Sequence, residues 1–79
     1  MEEVLIYTTK VCPACEMAKK FFRERNVQYK EIDITDDEKL MEEAVRLSGQ
    51  TGVPVIVINK EVLSGYRPIT MEKLLSGAG

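Results

Sequence analysis

The two cysteines of the chain, Cys12 and Cys15, stand two residues apart in the run Cys12-Pro13-Ala14-Cys15. Thiols at this spacing can close a disulfide with each other and so trade two electrons with a disulfide elsewhere, one thiolate attacking and the second displacing it. The chain has no histidine and no tryptophan. The usual general base at neutral pH and the commonest metal ligand are therefore both absent, and proton transfer at the thiols has to use water, backbone or a neighbouring side chain. Three other uses of the pair stay open. A zinc site would have to recruit carboxylates or a second copy of the chain. An inert disulfide would close too short a loop to constrain the unfolded chain much. An iron-sulfur cluster could be bridged by Cys12 from two subunits.

Placement favours exchange. Residues 4–8, Val-Leu-Ile-Tyr-Thr, are apolar, aromatic or β-branched on both alternations, which suits a central strand covered on both faces. After the cysteines, Met17, Ala18, Phe21 and Phe22 fall on one helical stripe, with Glu16, Lys19, Lys20 and Arg23 on the other face, predicting a helix over 13–25. Pro13 suits its first position, where the missing N–H would be orphaned anyway. Cys12 then lies at the positive end of a helix, where unpaired N–H groups favour the thiolate that attacks disulfides. Cys15, three residues on, is placed to resolve the mixed disulfide. Lys10 is a candidate for added positive charge near Cys12.

The remaining elements complete the frame. Residues 27–34 read as a second, edge strand. Thr35-Asp36-Asp37-Glu38 has capping-box form with Thr35 as cap, opening a helix whose predicted buried stripe is Leu40, Met41, Ala44, Val45 and Leu47, stopped by Gly49. The acids there complement a helix dipole more simply than they make a metal site. Val55-Ile56-Val57-Ile58, the turn Asn59-Lys60 and a strand over 61–63 form a hairpin. A short helix over 70–75 follows Pro68. The order strand, helix, strand, helix, strand, strand, helix implies an α/β fold: a right-handed parallel crossover plus a hairpin, in a mixed four-stranded sheet flanked by three helices.

Composition bounds the partners. Seventy-nine residues, 44% hydrophobic and 30% charged, suit one small domain and no second one. Eleven Lys and Arg against thirteen Asp and Glu give a net charge of −2, so no global positive field draws the chain to nucleic acid. The acidic excess concentrates in 26–50, with three basic and seven acidic residues, and leaves the cysteine segment near neutral. The first apolar run is too short for a signal peptide or membrane span. The expectation is a cytoplasmic monomer, in a reducing compartment where a lone cysteine pair is more often catalytic or metal-binding than structural.

The stretch Tyr7-Thr8-Thr9-Lys10-Val11-Cys12-Pro13-Ala14-Cys15, with Thr51-Gly52-Val53-Pro54 and then Ser64-Gly65-Tyr66, resembles the glutaredoxin and NrdH-redoxin group of the thioredoxin superfamily over essentially the whole chain. The resemblance implies a thioredoxin fold with a cis Val53-Pro54 peptide beside the cysteines, and Val53 backbone groups that pair with an extended substrate segment. It also implies a Gly65 that permits a tight backbone path near substrate, and Tyr66 and Arg67 as contacts for a reductase. Read by themselves, Pro54 is a strand-start proline, Gly65 a turn glycine, Tyr66 a loop aromatic and Arg67 a solvated cation.

Subfamily signals point two ways. Dithiol glutaredoxins usually carry an aromatic where this chain has Ala14, a basic residue where it has Thr9, and an acid after Gly-Gly that meets the amine of glutathione. Here no acid occurs over 66–70. Ser64-Gly65-Tyr66-Arg67-Pro68 instead resembles the NrdH-redoxins, which are reduced by thioredoxin reductase and feed class Ib ribonucleotide reductase, although their motif normally lacks the proline found at Pro13. The implied activity is reduction of protein disulfides with no bound cofactor beyond the Cys12-Cys15 redox disulfide. Thioredoxin reductase is preferred as reductant, and glutathione is the alternative.

Overall fold

The computed structural model describes residues 3–75 of the chain. The elements run β1 (Val4–Thr8), α1 (Pro13–Glu24), β2 (Lys30–Asp33), α2 (Glu38–Ser48), β3 (Val55–Ile58), β4 (Glu61–Ser64) and α3 (Pro68–Leu75). The sheet order is β2-β1-β3-β4. β1 and β2 are parallel, joined through α1, while β3 pairs antiparallel with β1 and β4 antiparallel with β3. This is the mixed sheet with three helices that the order of the elements implied. β1 is an inner strand and β2 an edge, as their patterns predicted.

Alternation along the inner strands divides the core. Val4, Ile6, Ile56 and Ile58 pack with Ala18, Phe21 and Phe22 of α1, Leu63 of β4 and Met71 of α3. Tyr7 and Val55, one residue out of phase, pack with Ile34 and Ala44, the latter from α2. The hairpin turn has φ 49° at Asn59 and 76° at Lys60, the left-handed pair that matches strand twist in a two-residue turn. Asn59 also anchors the chain start: its N–H donates to the Glu3 carbonyl at 3.0 Å, and its Oδ1 accepts from the Glu3 N–H at 2.9 Å.

Several boundaries and burials differ from the sequence expectation. β2 begins at Lys30 rather than residue 27 because the chain is still closing α1. Asn26 takes φ 56°, its N–H donates to the Arg23 carbonyl at 3.1 Å, and the Val27 N–H reaches the Phe22 carbonyl at 2.9 Å; this left-handed closure satisfies two helix-end carbonyls. α2 is capped by Asp37, whose Oδ1 accepts from the Leu40 N–H at 3.0 Å, and not by Thr35. Of the stripe predicted for α2 only Ala44 is buried, while Met41, Val45 and Leu47 are exposed. Met17 of α1, also predicted buried, is exposed. α3 begins at Pro68 itself, two residues before the expected start. Gly49 closes α2 at φ 73°, as expected.

Candidate functional site

β1 ends at Thr8, and the short loop that follows delivers Cys12 to the start of α1. Cys12 is extended, at φ −152° and ψ 94°, and serves as the helix cap: its Sγ accepts from the Cys15 N–H at 3.1 Å, while its carbonyl accepts from the Glu16 N–H at 3.1 Å. A sulfur takes the place that serine or aspartate oxygen usually holds at such a cap. Negative charge on that sulfur meets an N–H donor and the positive end of the helix. Pro13 occupies the first helical position.

Cys12 and Cys15 are joined as a disulfide with their Cα atoms 5.2 Å apart. Cys12 is 9% exposed and Cys15 1%, so an incoming disulfide meets Cys12 first and Cys15 lies beneath it. Two exposed apolar side chains stand beside the pair, Val11 at 90% and Met17 at 53%.

The register gathers the other candidates to the same end of the sheet. Tyr7 faces Val55 and Val55 faces Ser64, so Pro54 and Gly65 lie at the end of β1 from which the Cys12 loop departs. The Val53-Pro54 peptide is cis, as implied, and Pro54 is buried. The Gly65 N–H donates to the Pro54 carbonyl at 2.8 Å, joining these two candidates directly. Gly65 sits at φ 92° with open space where a Cβ would stand, so its backbone angle and not crowding demands glycine there.

The other two candidates, Tyr66 and Lys10, make contacts that the sequence did not show. Tyr66 is half-buried, its ring edge-on to Phe21 with centroids 6.4 Å apart, and it flanks the core on the α1 side. Lys10 is exposed, and its backbone N–H donates to Thr35 Oγ1 at 3.0 Å. Thr35 in turn bonds Asp33, whose carboxyl is held below its usual range by the Thr35 side chain and N–H, with the Lys10 and Lys19 charges acting the same way. The charge of Lys10 is thus felt at Asp33, on the β2 side of the loop.

A brace under α1 was not evident in the sequence. The buried Thr8 hydroxyl donates to Glu31 Oε2 at 2.8 Å, and Lys19 donates to the same oxygen at 3.0 Å while pairing with Glu16 at 3.0 Å. The bond from Thr8 and then that from Lys19 hold the Glu31 carboxyl below its usual range. Glu16 and then Glu31 hold the Lys19 ammonium above its own. Lys19, assigned to a solvated face from the sequence, is only 14% exposed in its side chain. It ties the turn after Cys15 to β1 and β2. The one available signal was Thr8, a hydroxyl at the end of a strand expected to be buried on both faces. Among the described residues no group of three or more His, Cys, Asp or Glu is arranged to hold a metal ion, and no helix is long and apolar enough to cross a membrane.

The sequence pattern that describes the glutaredoxin family matches residues 4–63. An uncharacterised glutaredoxin-like 8.6 kDa protein of the rubredoxin operon of Clostridium pasteurianum is 35% identical over 72 residues, covering 91% of this chain and 96% of that one. The glutaredoxin-like protein NrdH of Lactococcus lactis is 31% identical over 71 residues, covering 90% and 97%. The solved structure of a glutaredoxin from Archaeoglobus fulgidus superposes with a TM-score of 0.84 at 29% identity, over 95% of this chain and 87% of that one.

Proposed function

Because the chain belongs to the glutaredoxin family and is a thiol-disulfide oxidoreductase of that family, we propose that it reduces protein disulfides as a dithiol electron carrier fed by thioredoxin reductase, with ribonucleotide reductase among its acceptors. The observation that carries this reading is the cap geometry, a sulfur at the outer edge of a helix start bonded to the N–H of the buried cysteine below it.

In the reduced protein the Cys12 thiolate attacks one sulfur of the substrate disulfide. That S–S bond breaks, a mixed disulfide forms, and the displaced thiolate takes a proton from water. The Cys15 thiolate then attacks the Cys12 sulfur, expels the second substrate thiolate and closes Cys12–Cys15, so that two electrons have passed to the substrate. The reductant returns two electrons to the pair. Pro13 pre-forms the helix start, and Val53 and Pro54, at the same end of the sheet as the cysteine loop, offer backbone groups to which a substrate segment can add by main-chain pairing. Gly65, through its bond to Pro54, keeps that edge in place. Tyr66 acts behind it through Phe21, and Lys10 supplies an exposed cation at the rim.

Support for a reductase over glutathione lies in the tail. Arg67 is exposed and no acid occurs over 66–70, so the amine of glutathione lacks a carboxylate partner there. The NrdH likeness points the same way. The test is insulin reduction by wild type and Cys12→Ser with each reductant in turn. The expected result is turnover with NADPH and thioredoxin reductase, little with glutathione and glutathione reductase, and none in the variant. Efficient glutathione turnover without reductase coupling reverses the reductant, and activity retained in Cys12→Ser overturns the mechanism.

A further inference from the structure

Pro13, Glu16, Met17, Lys20 and Arg23 line a groove of about 370 Å³ along the outer face of α1, starting at the residue after Cys12. Its apolar part is surface that the fold leaves uncovered: Met17 and Pro13 are exposed, and Val11 stands beside them on the other flank of Cys12. Single exposed apolar residues are ordinary. These three lie within five residues of Cys12 in the chain.

The charge of the groove is positive. Lys19 pairs with Glu16 at 3.0 Å and divides its charge between Glu16 and Glu31, so Glu16 is compensated only in part. Lys20 has no ion-pair partner among the described residues, and Arg23 bonds the neutral Tyr29 hydroxyl at 3.4 Å and no carboxylate. Against one partly compensated carboxylate, two cations without a carboxylate partner among the described residues leave the groove net positive, on a chain whose net charge is −2. At about 1.5 Å of rise per residue, Lys20 lies roughly 10 Å and Arg23 roughly 15 Å along the helix from Pro13. An extended chain covers that span in about five residues.

Building on the exchange reading above, we propose that this groove docks an acidic segment of the partner polypeptide that follows the cysteine presented to Cys12, with an apolar residue over Met17 and acids about three and five residues along, opposite Lys20 and Arg23. The positive groove draws such segments in and repels basic ones, so it selects among disulfides that are otherwise chemically equal.

The experiment compares two synthetic peptides with an internal disulfide, Cys-Gly-Gly-Cys-Leu-Ala-Glu-Ala-Glu and Cys-Gly-Gly-Cys-Leu-Ala-Lys-Ala-Lys, and adds 2-hydroxyethyl disulfide as a substrate without a tail. Wild type is expected to favour the acidic peptide about tenfold in kcat/KM at low salt. The ratio should fall towards one in 1 M salt, where the screening length is about 3 Å, and K20E/R23E should invert it. Because the readout is a ratio within each protein, a partly misfolded variant does not imitate the result. A wild-type ratio within twofold, or a ratio unchanged in K20E/R23E, overturns the proposal. So does a concentration-dependent dimer in sedimentation that this variant dissociates, since the groove would then seat a second copy. Failure of wild type on 2-hydroxyethyl disulfide itself overturns the underlying exchange reading instead.

Discussion

On the α1 and α3 side of the sheet Val4, Ile6, Phe21, Phe22, Ile56, Ile58 and Met71 close into one body of aliphatic and aromatic side chains. On the α2 side the buried set reduces to Tyr7, Ile34, Ala44 and Val55, and the helix leaves Met41, Val45 and Leu47 in solvent. The first side carries α1 and therefore the cysteines, and it adds the Thr8–Glu31–Lys19 brace to apolar burial. The second side adds half-buried Leu40, Val57 and Val62 and polar ties: the Tyr7 hydroxyl donates to Glu43 at 2.7 Å, and Asp37 caps the helix. A helix that must hold a sulfur at its first turn is fixed by close packing, which changes steeply with displacement. A helix that only covers the sheet can be held by a few directional bonds.

The contrast is most open to attack at Phe22, fully buried between α1 and the sheet. Phe22→Ala is expected to lower the unfolding free energy by about 3–5 kcal/mol in denaturant titration; a loss near that of an α2 surface substitution would erase the difference between the two sides.

Tyr7→Phe probes the polar tie, with an expected loss of about 1 kcal/mol at pH 7. Burial, followed by the hydrogen bond to Glu43 and the charge of that carboxylate, pushes the Tyr7 hydroxyl up from 10.0 to about 12. The folded state therefore keeps a proton that the unfolded chain releases. The stability this contributes is fully present below pH 10 and is lost as the pH rises through about 12. The stability gap between wild type and variant should shrink across that window in paired alkaline titrations, and a constant gap would show that the hydroxyl does not hold α2.

The smallest effect is expected at Val45, an exposed position of α2. Val45→Ala should change stability by no more than about 0.5 kcal/mol, and a loss above 1.5 kcal/mol would mean that the exposed stripe of α2 is packed after all.

Much of the site was legible before the structure because its parts are local. The Cys12 cap, the Pro13 helix start, the Asn59-Lys60 turn and the Gly49 stop each depend on a few adjacent residues, and local rules reach that far. The errors share a cause. Met17 shares its spacing with Ala18, Phe21 and Phe22, but at about 100° per residue the burial of Cys15 turns the inward face away from Met17. That shift puts Met17 in the proposed docking groove. Met41, Val45 and Leu47 form a plausible stripe, yet α2 meets the sheet side through Ala44 and the half-buried Leu40. Thr35 had the form of a helix cap, but its hydroxyl is taken by the Lys10 N–H, a partner twenty-five residues away, leaving the cap to Asp37.

The order of the elements, the reactive pair and its position at a helix start follow from the amino-acid sequence alone, because hydrophobic period, proline and glycine geometry and thiol chemistry act over one or two turns of chain. Which cysteine faces outward, which face of α1 stays open, and that Glu31 and Lys19 meet beneath the helix were decided only by the tertiary structure. Each depends on how strands distant in sequence set the rotation of α1 against the sheet, and that rotation is fixed by the packing of Phe21, Phe22 and Cys15 together rather than by any of them singly.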